Sequence, residues 1–212
     1  MRFLVLLLAL GGLLLPQAAG AATVTVPASA DVGLPFWCDW GYDWDERCYT
    51  DNGTRLPVGG VDDKVWRAAL RFPLGQIPAG ATITSAEVRL VHDRACVAPR
   101  RRSVPCEGGS YWLDAHRIVS ADWFDERELE FDERVAGRTT LFDSAAHTTL
   151  SLDVTALVRV WQQGLAPNNG LLVRLTEWQE GYGVSGPAFP SSSFADAAAR
   201  PRLVVTYTPP SG

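Results

Sequence analysis

TLSLDVTALVRVWQQGLAPNNGLLVRL, residues 149–175, is the stretch that decides the fold. Apolar and polar side chains alternate as far as Asp153, which is typical of a half-buried strand. The apolar residues then change to helical spacing, and the Asp153 carboxylate is placed to cap the first turn. Turn residues follow at Pro167–Gly170, and alternation then resumes. The pattern predicts two strands joined by a short helix around residues 154–163, with Trp161 buried in the core.

Outside this stretch the chain shows further short strands separated by turns. Alternating segments lie at residues 66–74, 86–90, 111–119 and 203–207. Residues 92–109 and 177–199 are expected to be loops, and the acidic segment 122–133 is expected to hold a short strand at 129–131. Because there is no βαβ rhythm, we expect an all-β fold, a single jelly-roll-like β-sandwich domain covering residues 22–212.

The N-terminus has the pattern of a secretory signal peptide over residues 1–21. Met1-Arg2 precedes an apolar run that is shorter than a membrane span, and small residues follow it. We therefore expect a secreted, extracellular protein without a membrane span. The net charge of −5 argues against a general nucleic-acid binder.

Four cysteines are present, and export favours disulfides between them. Four cysteines allow three pairings, of which the two short loops Cys38–Cys48 and Cys96–Cys106 are preferred. Zinc is the alternative, but the spacing does not fit CxxC-type ligation.

Three blocks together resemble one known family. They are WRAALRFPLGQIPAGATITSAEVRL at residues 66–90, the stretch at 150–175, and ARPRLVVTY at 199–207. In combination they resemble the DNRLRE-domain family, a secreted group also described as a carbohydrate-binding-module type and related to repeats in disaggregatases. The resemblance implies a β-sandwich that serves as an accessory module, with some relatives linked to acidic or neutral polysaccharides. The two cysteine loops look like insertions relative to that pattern.

The first cysteine loop is the leading candidate for ligand binding. It concentrates aromatic residues among acids in a segment that fits neither strand nor helix periodicity, namely Trp37, Trp40, Tyr42 and Trp44. Indole rings are flat surfaces for the apolar faces of sugars, and exposed aromatics can mark a binding site. The alternatives are that these rings form a small core around the disulfide or that they contact a partner protein. The acids of the same loop, Asp39, Asp43 and Asp45, are candidate ligands for a structural calcium ion, although their spacing does not match an EF-hand.

Two further segments are candidates for the same role. Arg100, Arg101 and Arg102 lie in the second cysteine loop, where guanidinium groups can pair with uronates or sulfates, or remain solvated. Trp178 and Tyr182 lie in the predicted loop after residue 176.

The sequence offers little support for catalysis. The three histidines are scattered, and there is no HExxH or GxSxG motif. The acids at 122–133 do not by themselves make the paired carboxylates of a glycosidase. We therefore expect a secreted, non-catalytic module that binds polysaccharide or cell-surface glycan and requires no cofactor. The alternatives are a structural or adhesion protein of the cell envelope or extracellular matrix that contacts another protein, and a small polysaccharide-active enzyme.

Overall fold

The computed structural model describes residues 20–36, 53–61, 64–93, 95–98, 102–105, 109–122, 129–142, 148–181 and 186–210. These residues form antiparallel strands, two α-helices and one 3-10 turn at 197–199. The helices are α1 (Thr155–Gln162) and α2 (Glu177–Gly181). The strands are β1 (Ala22–Pro27), β2 (Ala30–Phe36), β3 (Arg55–Pro57), β4 (Gly59–Val61), β5 (Lys64–Arg71), β6 (Thr82–His92), β7 (Ala95–Ala98), β8 (Arg102–Pro105), β9 (Ser110–Ile118), β10 (Phe131–Phe142), β11 (Thr148–Asp153), β12 (Leu171–Leu175), β13 (Ala188–Pro190) and β14 (Arg202–Thr208).

Two larger sheets enclose the main hydrophobic core. One sheet has the order β1-β14-β6-β11, and the other has the order β10-β9-β12-β5-β2, with β4 also paired to β5. Val88 and Leu203 from the first sheet share one buried cluster with Leu113 and Val173 from the second. The predicted all-β sandwich is therefore confirmed. Two small ribbons, β3 with β13 and β7 with β8, accompany the sheets.

Strand alternation decides which side chains of the six-stranded sheet face away from the main core. In β12, Leu171, Val173 and Leu175 belong to the main core, so Leu172 and Arg174 lie on the opposite, outer face. A second apolar cluster lies on that outer face and includes Leu172 with Ile118. Both faces of β12 are buried, which explains its apolar sequence.

The short helix is where the sequence predicts it. Leu157, Val158 and Trp161 are its buried residues, and all three belong to the main core. One detail differs, because the N-cap residue is Val154, while Asp153 is still paired in β11. The Asp153 carboxylate nevertheless accepts a hydrogen bond from the backbone N–H of Thr155 at 2.9 Å.

The turn before β12 is built by its side chains and its glycine. Asn168 Nδ2 donates to the Phe72 carbonyl at 2.8 Å, and Asn169 Nδ2 donates to the Val119 carbonyl at 2.6 Å. Gly170 has a φ of 103°, and a Cβ there would lie 2.6 Å from the Leu70 carbonyl oxygen. Only glycine fits where the two backbones approach each other this closely.

Three parts of the secondary structure differ from the prediction. β10 has 12 residues, whereas only a short strand at 129–131 was expected. Register shifts on both sides of Val135 break its alternation, which hides the strand in the sequence. The predicted loop 92–109 contains the β7–β8 ribbon, and the predicted loop 177–199 contains α2 and β13.

Candidate ligand-binding surface

Most of the predicted site residues lie outside the described residues. This applies to the aromatic loop with its acids and to part of the arginine run, namely Trp37, Asp39, Trp40, Tyr42, Asp43, Trp44, Asp45, Arg100 and Arg101, and also to Tyr182. Arg102 begins β8, but its side chain is not described. Trp178 is the predicted ligand-binding residue whose surroundings the structure gives. Its indole is 60% exposed.

The cysteine pairing also remains a prediction. Cys96 lies buried in β7 and is disulfide-bonded. The other three cysteines, Cys38, Cys48 and Cys106, lie outside the described residues. In the β7–β8 ribbon Cys96 stands opposite Val104, two positions before Cys106 in the sequence.

Trp178 belongs to α2, which is anchored to the outer face of the six-stranded sheet by a buried carboxylate. Glu180 Oε1 and Oε2 accept hydrogen bonds from Arg67 at 3.1 and 2.7 Å, and Oε2 also accepts one from Arg174. The ring of Phe131 lies 5.4 Å from the Arg67 guanidinium carbon and 6.0 Å from that of Arg174. Burial lowers the pKa of Arg67, and the Glu180 carboxylate opposes this effect. The carboxylate therefore holds α2 against two strands, β5 and β12.

A second anchor comes from the neighbouring buried residue, Gln179. Strand β12 ends at Leu175, opposite β9, and the next residue, Thr176, makes one more ladder bond to the Trp112 carbonyl at 2.9 Å. Beyond that point the Gln179 side chain takes over as the hydrogen-bond partner of β9. Its Oε1 accepts from the Trp112 N–H at 2.7 Å, and its Nε2 donates to the Ser110 carbonyl at 2.9 Å. The amide thus satisfies backbone groups that the end of β12 would otherwise leave unpaired.

Between these anchors, Trp178 packs on a second exposed tryptophan. The ring centroids of Trp112 and Trp178 are 6.0 Å apart, and the ring planes are tilted by 38°. Trp112 is 45% exposed. Its neighbours Tyr111 and Leu113 are in the main core, so alternation directs Trp112 outward. The two indoles form one continuous aromatic surface.

A third exposed aromatic residue lies on the same face of the next strand. Phe142 is 62% exposed and pairs with Ser110, while Thr140 pairs with Trp112. Phe142 is therefore the diagonal neighbour of Trp112, at a separation that long aromatic side chains bridge. We call Trp178, Trp112 and Phe142 the aromatic strip. It extends across three neighbouring strand positions of the sheet: the position beyond the end of β12, where α2 lies, then β9, then β10.

An ion pair lies beside the aromatic strip. Arg138 Nε and Nη2 donate to the two oxygens of Asp114 at 2.5 and 2.7 Å. Asp114 is buried while the Arg138 side chain is 61% exposed. The hydrogen bonds from Arg138 to Asp114 raise the pKa of the arginine. The pair satisfies the buried carboxylate and presents a polar group next to the rings.

His116 supports the face from further along β9. Its Nδ1 lies 2.9 Å from the Asp132 carbonyl oxygen, and its ring meets Phe131 edge-on at 5.3 Å. Burial lowers the pKa of His116 below its usual 6.5. The neutral ring is therefore favoured at pH 7, with its Nδ1–H donated to the carbonyl. In this setting the imidazole fixes the Phe131 ring that lies against both arginines.

Sequence reasoning missed Trp112, Phe142 and Gln179 as parts of this surface. One signal for α2 was present, since Thr176 and Gln179 have the S/T-x-x-E/Q spacing of a helix start. Trp112 was assigned to a strand, but its facing depends on the register. Phe142 was hidden with the rest of β10.

No protein-family model and no curated protein matches the chain. Within the described residues, no three His, Cys, Asp or Glu side chains lie together as a metal site would require. The helices α1 and α2 are both too short to cross a membrane.

Proposed function

We propose that the protein is a secreted, non-catalytic module that binds polysaccharide or cell-surface glycan, with the aromatic strip as its binding surface. The observation that carries this proposal is the placement of Trp178, Trp112 and Phe142. All three are large aromatic side chains, all are about half exposed or more, and all share one face and one end of the six-stranded sheet. Contiguous exposed apolar patches on a protein surface can mark sites that bind a ligand or a partner protein.

Glycan is the ligand that suits this combination of groups. The C–H faces of sugar rings are apolar and stack on flat indoles, while their hydroxyls need polar partners nearby. The exposed Arg138 guanidinium supplies such a partner next to the rings. The resemblance to the DNRLRE-domain family implies the same class of ligand.

The dimensions of the aromatic strip favour an extended ligand. Neighbouring strands of a sheet are about 4.8 Å apart, so three strand positions span roughly 10 Å. More than one sugar unit can therefore contact the rings at once. We expect affinity to increase from monosaccharide to trisaccharide and to change little once the strip is covered.

The first experiment is a binding screen of the exported protein against neutral and acidic glycans, with calcium and with a chelator. Reducing-end release is measured in the same samples. Depletion of a glycan without release supports the proposal. Release identifies an enzyme, and the absence of any binding favours a structural or adhesion role. Loss of binding in the chelator points to the calcium ligands proposed at Asp39, Asp43 and Asp45.

Trp178→Ala then tests the location of the site. Stacking on one ring contributes on the order of 1–3 kcal/mol, by analogy with base–aromatic stacking, so the variant should bind about tenfold more weakly in titration calorimetry. Its thermal midpoint should change little because the indole is largely exposed. Leu165→Ala is the matched control: Leu165 is 72% exposed but follows α1, which lies on β6 of the other sheet, where Arg159 donates to the Ile83 carbonyl. If Trp178→Ala and Trp112→Ala both bind as the wild type does, the strip is not the site, and the loop at Trp37–Trp44 becomes the leading candidate.

A further inference from the structure

We infer that Gln179 is the positioning residue of the binding surface: its side-chain amide fixes the angle at which Trp178 meets Trp112, and so prepares the two rings for a ligand. The inference rests on the proposed function for its consequence in binding, but the geometry it describes is independent of any ligand.

The first step is the place of the amide. Gln179 is 4% exposed, and both ends of its amide are used. One end accepts from the backbone N–H of Trp112, and the other donates to the carbonyl of Ser110, two residues earlier in β9. Two bonds to alternate residues of one strand are how a neighbouring strand would pair. The amide therefore fixes α2 in register with β9, not merely in contact with it.

The second step is the shortness of α2. A helix of five residues has little stability of its own. Its orientation depends on outside contacts, and the side-chain hydrogen bonds described for it come from two consecutive residues, Gln179 and Glu180. The carboxylate of Glu180 faces Arg67 and Arg174, on the side of β5 and β12. Gln179 alone links α2 to β9 by side-chain hydrogen bonds among the described contacts, and β9 is the strand that carries Trp112.

The third step connects the anchor to the rings. Trp178 directly precedes Gln179, and Trp112 supplies the very N–H that the Gln179 amide accepts. The two indoles are thus tied together through a path of one side chain and two short backbone segments. Loss of the amide leaves Glu180 to retain α2 on the sheet while the angle between the indoles becomes variable. A ligand would then have to order Trp178 as it binds.

Gln179→Met tests the inference, because methionine keeps the volume and removes both hydrogen bonds. Two indoles at 6.0 Å couple their ultraviolet transitions and give a paired circular-dichroism band. Trp112→Phe identifies that band by removing it. We expect Gln179→Met to lose most of the band, to keep the rest of the spectrum, and to bind the glycan from the screen about three- to tenfold more weakly. Gln179→Glu retains the acceptor for Trp112 but loses the donor to Ser110. Its band intensity and its glycan affinity should lie between those of Gln179→Met and the wild type. Gln163→Ala, an exposed glutamine at the end of α1, is the control and should match the wild type.

The outcomes separate the inference from the proposed function. If Gln179→Met keeps the paired band, Gln179 does not position the rings and the inference is wrong. If the band is lost but affinity is unchanged, the positioning has no role in binding, and the inference also fails. If the band is lost and the wild type binds no glycan, the geometric claim holds and the proposed function fails. If Gln179→Met unfolds, Gln179→Glu takes its place. An unchanged band in Gln179→Glu, or a reduced band with unchanged affinity, then contradicts the inference.

Discussion

Replacing Glu180 with glutamine tests the anchor on which the whole surface depends. In the wild-type protein one carboxylate bridges two buried guanidinium groups, those of Arg67 and Arg174, and is their shared counter-ion. Arg67, Arg174 and Glu180 are each no more than 8% exposed. Glutamine has nearly the same shape, but it carries no charge and presents an N–H to one of the guanidiniums. The variant therefore leaves two buried positive charges without their counter-ion.

The expected loss follows from that burial. Removing one partner of a buried ion pair typically costs about 3–5 kcal/mol, because the remaining charge is left desolvated. The ring of Phe131 contacts Arg67 in the wild type and in the variant alike, so this contact does not change the difference between them. We therefore expect Glu180→Gln to reduce the free energy of unfolding by about 3–5 kcal/mol. This is a large part of the roughly 5–15 kcal/mol that stabilises an ordinary domain.

Chemical denaturation measures the loss, and the exposed pair Glu87–Arg89 provides the control. Both side chains of that pair are about 40% exposed and their closest N–O distance is 3.4 Å. Glu87→Gln should change the free energy of unfolding by less than about 1 kcal/mol. Equal losses in Glu180→Gln and Glu87→Gln would refute the reasoning, because burial would then have no effect. Replacing Arg67, Arg174 and Glu180 together by apolar residues should recover much of the loss.

Three further predictions concern the core, a buried histidine and the disulfide. Trp161→Ala should cost about 3–5 kcal/mol in chemical denaturation, because it empties a buried site between α1 and the core; a cost below about 1 kcal/mol would mean that α1 does not dock there. His116 has a lowered pKa because of burial, so its unfolded form takes up protons first; the stability from neutral His116 is present above about pH 6.5 and declines as the pH falls through and below that value. His116→Gln should flatten this decline between about pH 8 and pH 5, and parallel curves for variant and wild type would be inconsistent with it. Cys96 and Cys106 should appear as one linked peptide in non-reducing mapping of the exported protein, and a Cys38–Cys96 peptide would rule out the two-loop pairing.

Local pattern was sufficient for the fold because most strands of the sandwich have one core-facing side. Residues 149–175 alternate, change to helical spacing and return to alternation, and the structure follows each change. The turn at Pro167–Gly170 was predictable for the same reason, since Gly170 is required by its positive φ. β10 was not predictable by this rule, because its register shifts around Val135 break the period.

The candidate surface depended on information that the sequence does not carry locally. Trp178 was identified as a candidate only because it is an aromatic residue in a predicted loop. Its neighbour Trp112 is 66 positions earlier in the chain, and nothing in the pattern shows that the end of β12 brings the two together. In the sequence Gln179 looks like an ordinary polar loop residue. Its role depends on the end of β12, beyond which its amide pairs with backbone groups of β9. The aromatic loop at residues 37–44 lies outside the described residues, so its role remains a prediction.

Oxidation of individual tryptophans, with and without a glycan selected by the screen, tests the central claim most directly. The protein has eight tryptophans, of which Trp66 and Trp161 are buried and serve as unreactive internal references. N-bromosuccinimide treatment followed by peptide mass spectrometry gives a rate for each residue. The proposed surface predicts that the glycan slows oxidation of Trp112 and Trp178 together, in proportion to occupancy. Bound glycan that leaves both residues as reactive as in the unliganded protein would contradict it.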